Sequence, residues 1–125
     1  MIVDTNALSA MADSSPGITE ALAGTRFVAI PVIVLGEFRF GVLQSRRKLE
    51  YEEWLRVNLP LCRVLEIAES TAGTYAEIRL ELKRTGTPIP SNDLWIAALA
   101  RQHGMPVLSR DLHFDLVKGL RRVGW

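Results

Sequence analysis

Met1-Ile2-Val3-Asp4-Thr5-Asn6 runs two β-branched residues straight into a carboxylate, a hydroxyl and an amide. Ile2 and Val3 read as a short buried strand. A strand buried on both faces presents polar groups to a ligand only at its tip, and open α/β sheets hold their ligands outside the carboxyl ends of their strands. Asp4 therefore stands where a site belongs, and the rest of the chain is searched for its companions.

The pattern downstream alternates. Asn6 to Met11 starts a short helix with Thr5 or Asn6 as its cap, and Asp13-Ser14-Ser15-Pro16-Gly17 breaks it. Ile18 to Leu22 is a second helical piece. Arg26 to Ile30 reads as a strand that Pro31 ends, and Pro31 suits the first turn of a helix running to Gln44. Leu49 to Leu59 is amphipathic, with Tyr51, Trp54 and Leu55 inward, and Pro60 stops it. Cys62 to Ile67 reads as a short central strand and Ser70 to Arg84 as the longest helix, its apolar members Ala72, Tyr75, Ala76, Ile78, Leu80 and Leu82. Ser91 caps a helix from Asn92 to His103, which Gly104 closes. Val107-Leu108 is a late strand with Asp111 beyond its tip, and Leu120 to Trp125 forms a last edge strand. Strands alternating with helices predict an α/β fold, a mostly parallel sheet flanked by helices, in one domain spanning residues 1–125.

Composition narrows the classes. The chain is 48% hydrophobic and 23% charged, as expected of a globular protein with a real core. A net charge of +1 argues neither for nor against nucleic acid, because a pocket of acids offsets basic rims. Cys62 is the sole cysteine, so there is no internal disulfide and no thiolate zinc site. The longest apolar stretch, Phe27 to Gly36, is too short for a membrane span and holds a proline. A cytoplasmic location is expected.

Four carboxylates stand out. Asp4 and Asp111 follow strands, Asp93 lies in a helix's first turn, and Glu37 interrupts an apolar helix. A lone charge on a buried face costs roughly several kcal/mol unless paired or metal-bound, so Glu37 is expected to be buried with a partner. Asp93 has a milder excuse in the helix dipole, worth roughly 0.3–1 kcal/mol. Acids that converge at one sheet edge repel strongly without a cation. Oxygen donors favour a hard divalent ion, Mg²⁺ or Mn²⁺, over zinc. Thr5, Asn6, Asn92 and Ser109 flank the acids as supporting hydrogen-bond partners. His113 reads as a residue that packs or hydrogen-bonds near Phe114, and Arg46, Arg47, Lys48, Lys118, Arg121 and Arg122 as basic rims that line a nucleic-acid path or simply meet solvent.

Asp4-Thr5-Asn6, Gly36-Glu37, Pro90-Ser91-Asn92-Asp93-Leu94-Trp95-Ile96-Ala97-Ala98 and Ser109-Arg110-Asp111-Leu112-His113-Phe114 resemble, in order, the motifs of the PIN-domain ribonucleases. The short chain looks like their VapC toxins. The resemblance implies a three-layer α/β/α fold, a divalent metal and endonuclease activity on RNA. It also implies a homodimer and a cognate antitoxin, with the apolar helices around Phe38, Phe40, Tyr51 and Trp54 as walls for one or the other. By motif, Asp4, Glu37, Asp93 and Asp111 are the acidic quartet, Asn6, Asn92 and Ser109 match supporting positions, and Asp115 takes a lesser role. The expected chemistry is hydrolysis to 5′-phosphate and 3′-hydroxyl ends, on a structured-loop RNA such as tRNA or rRNA. The alternative is a PIN-fold module without catalysis that only binds RNA or a partner. A haloacid-dehalogenase phosphatase would need an acid at position 6, where Asn6 stands. A response-regulator receiver would need paired acids after the first strand and a late lysine, which Asp4-Thr5-Asn6 and Ser109-Arg110-Asp111 do not supply.

Overall fold

The computed structural model describes residues 1–125. Five short strands form one sheet: β1 (Ile2–Val3), β2 (Ala29–Pro31), β3 (Arg63–Leu65), β4 (Val107–Leu108) and β5 (Arg122–Val123). Six α-helices surround it: α1 (Thr5–Ala12), α2 (Ile18–Leu22), α3 (Val32–Gln44), α4 (Lys48–Asn58), α5 (Glu69–Arg84) and α6 (Ser91–His103). Two 3₁₀ turns, Leu59–Leu61 and Leu112–Leu116, complete the regular structure. The arrangement is a three-layer α/β/α fold.

The strand order is β3-β2-β1-β4-β5, and every pairing is parallel. The chain walks outward from β1 to β3, then crosses back to lay β4 on the other side of β1. That reversal makes the β1–β4 seam the switch point, where the connections leave in opposite directions and open a crevice. Hydrogen bonds extend the seam past the strands. The Asp4 N–H donates to the Leu108 carbonyl (3.3 Å), and the Ser109 N–H to the Val123 carbonyl (2.9 Å). Asp4 and Ser109 therefore leave the sheet side by side.

Ile2, Val3, Ile30, Val107 and Leu108 are wholly inaccessible, as continuous apolar runs in a sheet covered on both faces must be. Helix α6 is buried along most of its length through Leu94 and Ile96–Ala100, and its alanines let it press close to its neighbours. Gly104 ends it at φ +61°, a left-handed position that glycine adopts without steric cost. Helix α5 packs along α6, while α1, α2, α3 and α4 contact one another in series.

Several elements differ from the sequence reading. Asp4 itself, not Thr5 or Asn6, caps α1, and Pro90 rather than Ser91 precedes α6 without a side-chain cap. Segment 63–65 is an edge strand, not a central one, and Arg63 and Val64 are exposed. Ala72, Ala76 and Leu80 face solvent on α5, where Thr71, Ile78 and Leu82 are the buried positions. Alternative apolar stripes on one amphipathic helix look alike until a neighbour selects the face.

The turn Leu112–Leu116 hangs on Phe114, which is fully buried, whereas Leu116 is 46% exposed. Phe114→Ala is expected to cost about 3–5 kcal/mol of stability. Leu116→Ala is expected to stay within about 0.5 kcal/mol. Urea unfolding of both variants checks the contrast.

Candidate active site

The site begins with the seam. Asp4 is buried, at 5% exposure. Its Oδ1 accepts the Ala7 N–H at 2.7 Å, capping α1, and its Oδ2 accepts from the Ser109 hydroxyl. The Ser109 Oγ accepts in turn from the Asp111 N–H at 2.9 Å. One fully buried hydroxyl thus ties the ends of β1 and β4 together and aims both aspartates into the crevice.

Asp111 then caps the turn that follows it, its Oδ1 taking the His113 N–H at 2.9 Å. That cap turns the His113 ring back, so Nδ1 lies 2.9 Å from Asp93 Oδ2 and 2.9 Å from Asp111 Oδ1. Asp93 arrives from the first turn of α6. One donor atom from each of Asp93, Asp111 and His113 lies within 4.8 Å of the other two.

The electrostatics are those of crowded acids. Burial pushes the Asp4 carboxyl above its ordinary range, and the charges of Asp93 and Asp111 push it the same way; the Ser109 and Ala7 donors oppose them. Burial also raises Asp93, reinforced by Asp111 and opposed by His113. The hydrogen bond to Asp93 raises His113, and the Asp111 and Asp93 charges add to it. A divalent cation answers the burial and mutual repulsion of the acids, and the donor set fits one: carboxylates on fixed elements, an imidazole nitrogen among them, and access graded from half-buried Asp93 to the more open Asp111. Asp4, Asp93 and Asp111, with His113 beside them, are the groups placed to hold it.

The structure corrects four expectations. Glu37 is exposed, because the α3 face that carries it looks outward over the cleft it lines with Thr5, Ser9 and Asp13. Its charge is therefore solvated and needs no buried partner. Asp115 turns away from the acids and takes a bidentate bond from Arg122, at 2.9 and 3.0 Å. Asn6 and Asn92 are exposed and make no side-chain hydrogen bond to the acids, since the first turns of α1 and α6 rotate them away. Of the flanking polar residues, Ser109 alone bonds directly to them. Thr5 is half-buried in the cleft with Glu37.

Two contributors went unread. His113 hydrogen-bonds, as one of its two expected roles had it, but its partners are the acids, and that signal was available: a histidine two residues after a strand-end aspartate reaches back to that aspartate once the latter caps a turn. Arg122 is committed as well, since its Nη1 donates to the Ser109 carbonyl at 3.0 Å. It buttresses the seam and is not free to line an RNA path. Arg47 is likewise engaged, with Glu50 and Asp13.

The model of the PIN domain family matches residues 1–120. Ribonuclease VapC5 of Mycobacterium tuberculosis is 31% identical over 124 residues, covering 98% of this chain and 90% of its own. The DNA-bound VapBC structure from Salmonella typhimurium superposes with a TM-score of 0.87 at 28% identity, covering 99% of this chain and 96% of that one. VapBC-5 of M. tuberculosis, a member of the VapBC family of toxin–antitoxin systems, superposes with a TM-score of 0.75 at 29% identity, covering 98% and 94%.

Asp4, Asp93 and His113 all bind protons more tightly folded than unfolded. Each stabilises the metal-free protein most below its unfolded value, and that contribution disappears as pH rises through its elevated folded value. Stability measured in chelator should therefore fall as pH climbs from the carboxylate range through neutrality. Asp4→Asn keeps an acceptor for Ala7 and removes the buried charge, so it should flatten the acid part of that slope. Ser109→Ala strands the Asp4 carboxylate and should cost about 1–3 kcal/mol at neutral pH. Thermal unfolding across pH reads all three.

Proposed function

Given that the chain belongs to the PIN-domain family, we propose that its acidic crevice is the active site of a VapC-type toxin, an endoribonuclease neutralised by a cognate antitoxin. The observation that carries this reading is the convergence of Asp4, Asp93 and Asp111 at the β1–β4 seam. Ribonuclease activity and toxin–antitoxin pairing belong to its relatives by their names. Glu37 completes the quartet from the rim of the Thr5 cleft. The ion is a hard divalent cation, Mg²⁺ or Mn²⁺ in its place.

The chain's residues divide the work by depth. Ser109 and the α1 N-terminus fix Asp4 from within, so its carboxylate does not reorganise when substrate arrives. Asp93 stands on a buried helix and Asp111 on a capped turn, so both hold position without lost side-chain entropy. A divalent ion bound among them would polarise a phosphodiester and offset the charge that grows on its oxygens. Water adds to phosphorus, the bond to the 3′-oxygen breaks, and that oxygen leaves as a hydroxyl. The products carry 5′-phosphate and 3′-hydroxyl ends.

The RNA is a structured loop, of tRNA or rRNA, because unpaired, splayed bases are what proteins read in sequence-specific RNA recognition. The antitoxin lays an apolar segment against the α1–α4 side, where a hollow of about 560 Å³ is lined by Met11, Ile18, Leu22 and Trp54. Phe40 (63% exposed) and Leu43 (64% exposed) add further exposed apolar surface on α3. The active form is a homodimer of this one-domain chain, residues 1–125, acting in the cytoplasm. No helix is long and apolar enough to cross a membrane.

Purified, antitoxin-free protein incubated with total cellular RNA should make discrete cuts with Mg²⁺ or Mn²⁺ and none with chelator. Asp93→Asn should lower the rate by more than about 100-fold, beyond what removing an outer partner of a ligand usually costs. Glu37→Gln should lower it too. Sequencing of the new ends checks the hydrolytic route, and 2′,3′-cyclic phosphate ends would refute it. No cuts from folded, metal-binding protein would favour a module that only binds.

A further inference from the structure

The imidazole of His113 has an unusual setting for a packing residue. Its ring is engaged on one edge only: Nδ1 meets two carboxylates at 2.9 Å each, while Nε2 makes no hydrogen bond within the protein. Its approach is built in. The His113 N–H is held by Asp111, and the next residue, Phe114, is sunk in the core. The ring is thus delivered to Asp93 and Asp111 by a pinned turn.

We propose that His113 Nδ1 is a direct ligand of the divalent ion, beside Asp93 and Asp111, and that this nitrogen tilts the site toward Mn²⁺ over Mg²⁺. The proposal rests on the metallonuclease reading above and deepens it. With bonds of about 2.1 Å, adjacent corners of an octahedron lie about 3.0 Å apart. The two 2.9 Å spacings around Nδ1 match that edge, so the three donors need little movement to share one ion. Asp4, at 5% exposure, adds its carboxylate from the buried side. His113, with 42% of its side chain exposed, takes the open side.

The ligand chemistry gives the selectivity. Mg²⁺ gives up its waters reluctantly and keeps to oxygen donors, whereas Mn²⁺, though also oxygen-loving, exchanges a water for an imidazole nitrogen more readily. A nitrogen among carboxylates therefore strengthens Mn²⁺ binding more than Mg²⁺ binding.

Mn²⁺-loaded protein examined by pulsed electron paramagnetic resonance should show nitrogen modulation from a directly bound imidazole. His113→Ala, checked for folding by circular dichroism, should lose that signal. By calorimetry it should bind Mn²⁺ at least about 10-fold more weakly, with Mg²⁺ changed by less than about 3-fold. His113→Asn places an amide oxygen near the Nδ1 position; it should lose the imidazole signal and narrow the Mn²⁺ preference. Wild-type protein that binds Mn²⁺ with no nitrogen modulation would overturn the proposal, and so would a His113→Ala variant that binds Mn²⁺ as tightly as wild type. Both results leave the acidic site intact. Wild-type protein that binds neither ion, unchanged by Asp93→Asn, would instead remove the metallonuclease reading beneath it.

Discussion

The Ser109 hydroxyl, shared between the Asp4 carboxylate and the Asp111 N–H, is the constraint on which the site depends. It joins the ends of two strands that neighbour each other only because the chain reverses direction across β1. Without it, a buried carboxylate would lose its one side-chain donor, and the turn carrying Asp111 and His113 would lose its anchor to the seam. Arg122 braces the same point from the next strand by holding the Ser109 carbonyl while clasping Asp115. Four strand ends and turns are thereby locked around one hydroxyl and one backbone carbonyl.

That arrangement sets stability against function. Burial and mutual repulsion disfavour charged Asp4 and Asp93, and in the metal-free protein the His113 imidazole stands between Asp93 and Asp111. The surrounding core absorbs the cost. Inaccessible Ile2, Val3, Val107 and Leu108 lie directly before the site, α6 is buried nearly throughout, and Phe114 anchors the turn behind it. A cluster of like charges held this firmly cannot relax by spreading apart, which is what prepares it for a cation.

How much of this was legible follows from the range of each signal. Asp4, Asp93 and Asp111 were readable because strand tips and helix starts are local features, marked by β-branched runs, proline and glycine. Helix α2 and strand β4 appeared where expected for the same reason. Glu37 was misjudged because an apolar helix sequence does not say which side meets the sheet; with Val34, Phe38 and Val42 buried, position 37 turns outward. The segment 63–65 was misjudged because its apolar run resembles a central strand, and edge position depends on strand order. Asp115 looked like a further acid until Arg122, seven residues on, claimed it.

The sequence by itself determined the class of protein and the acids at its centre, because patterning, caps and motif order are written along the chain. Only the tertiary structure decided which groups act together. Ser109 meets Asp4 across 105 residues, and His113 meets Asp93 across 20. Those contacts arise from strand order and from the direction of one capped turn, neither of which has a local signature.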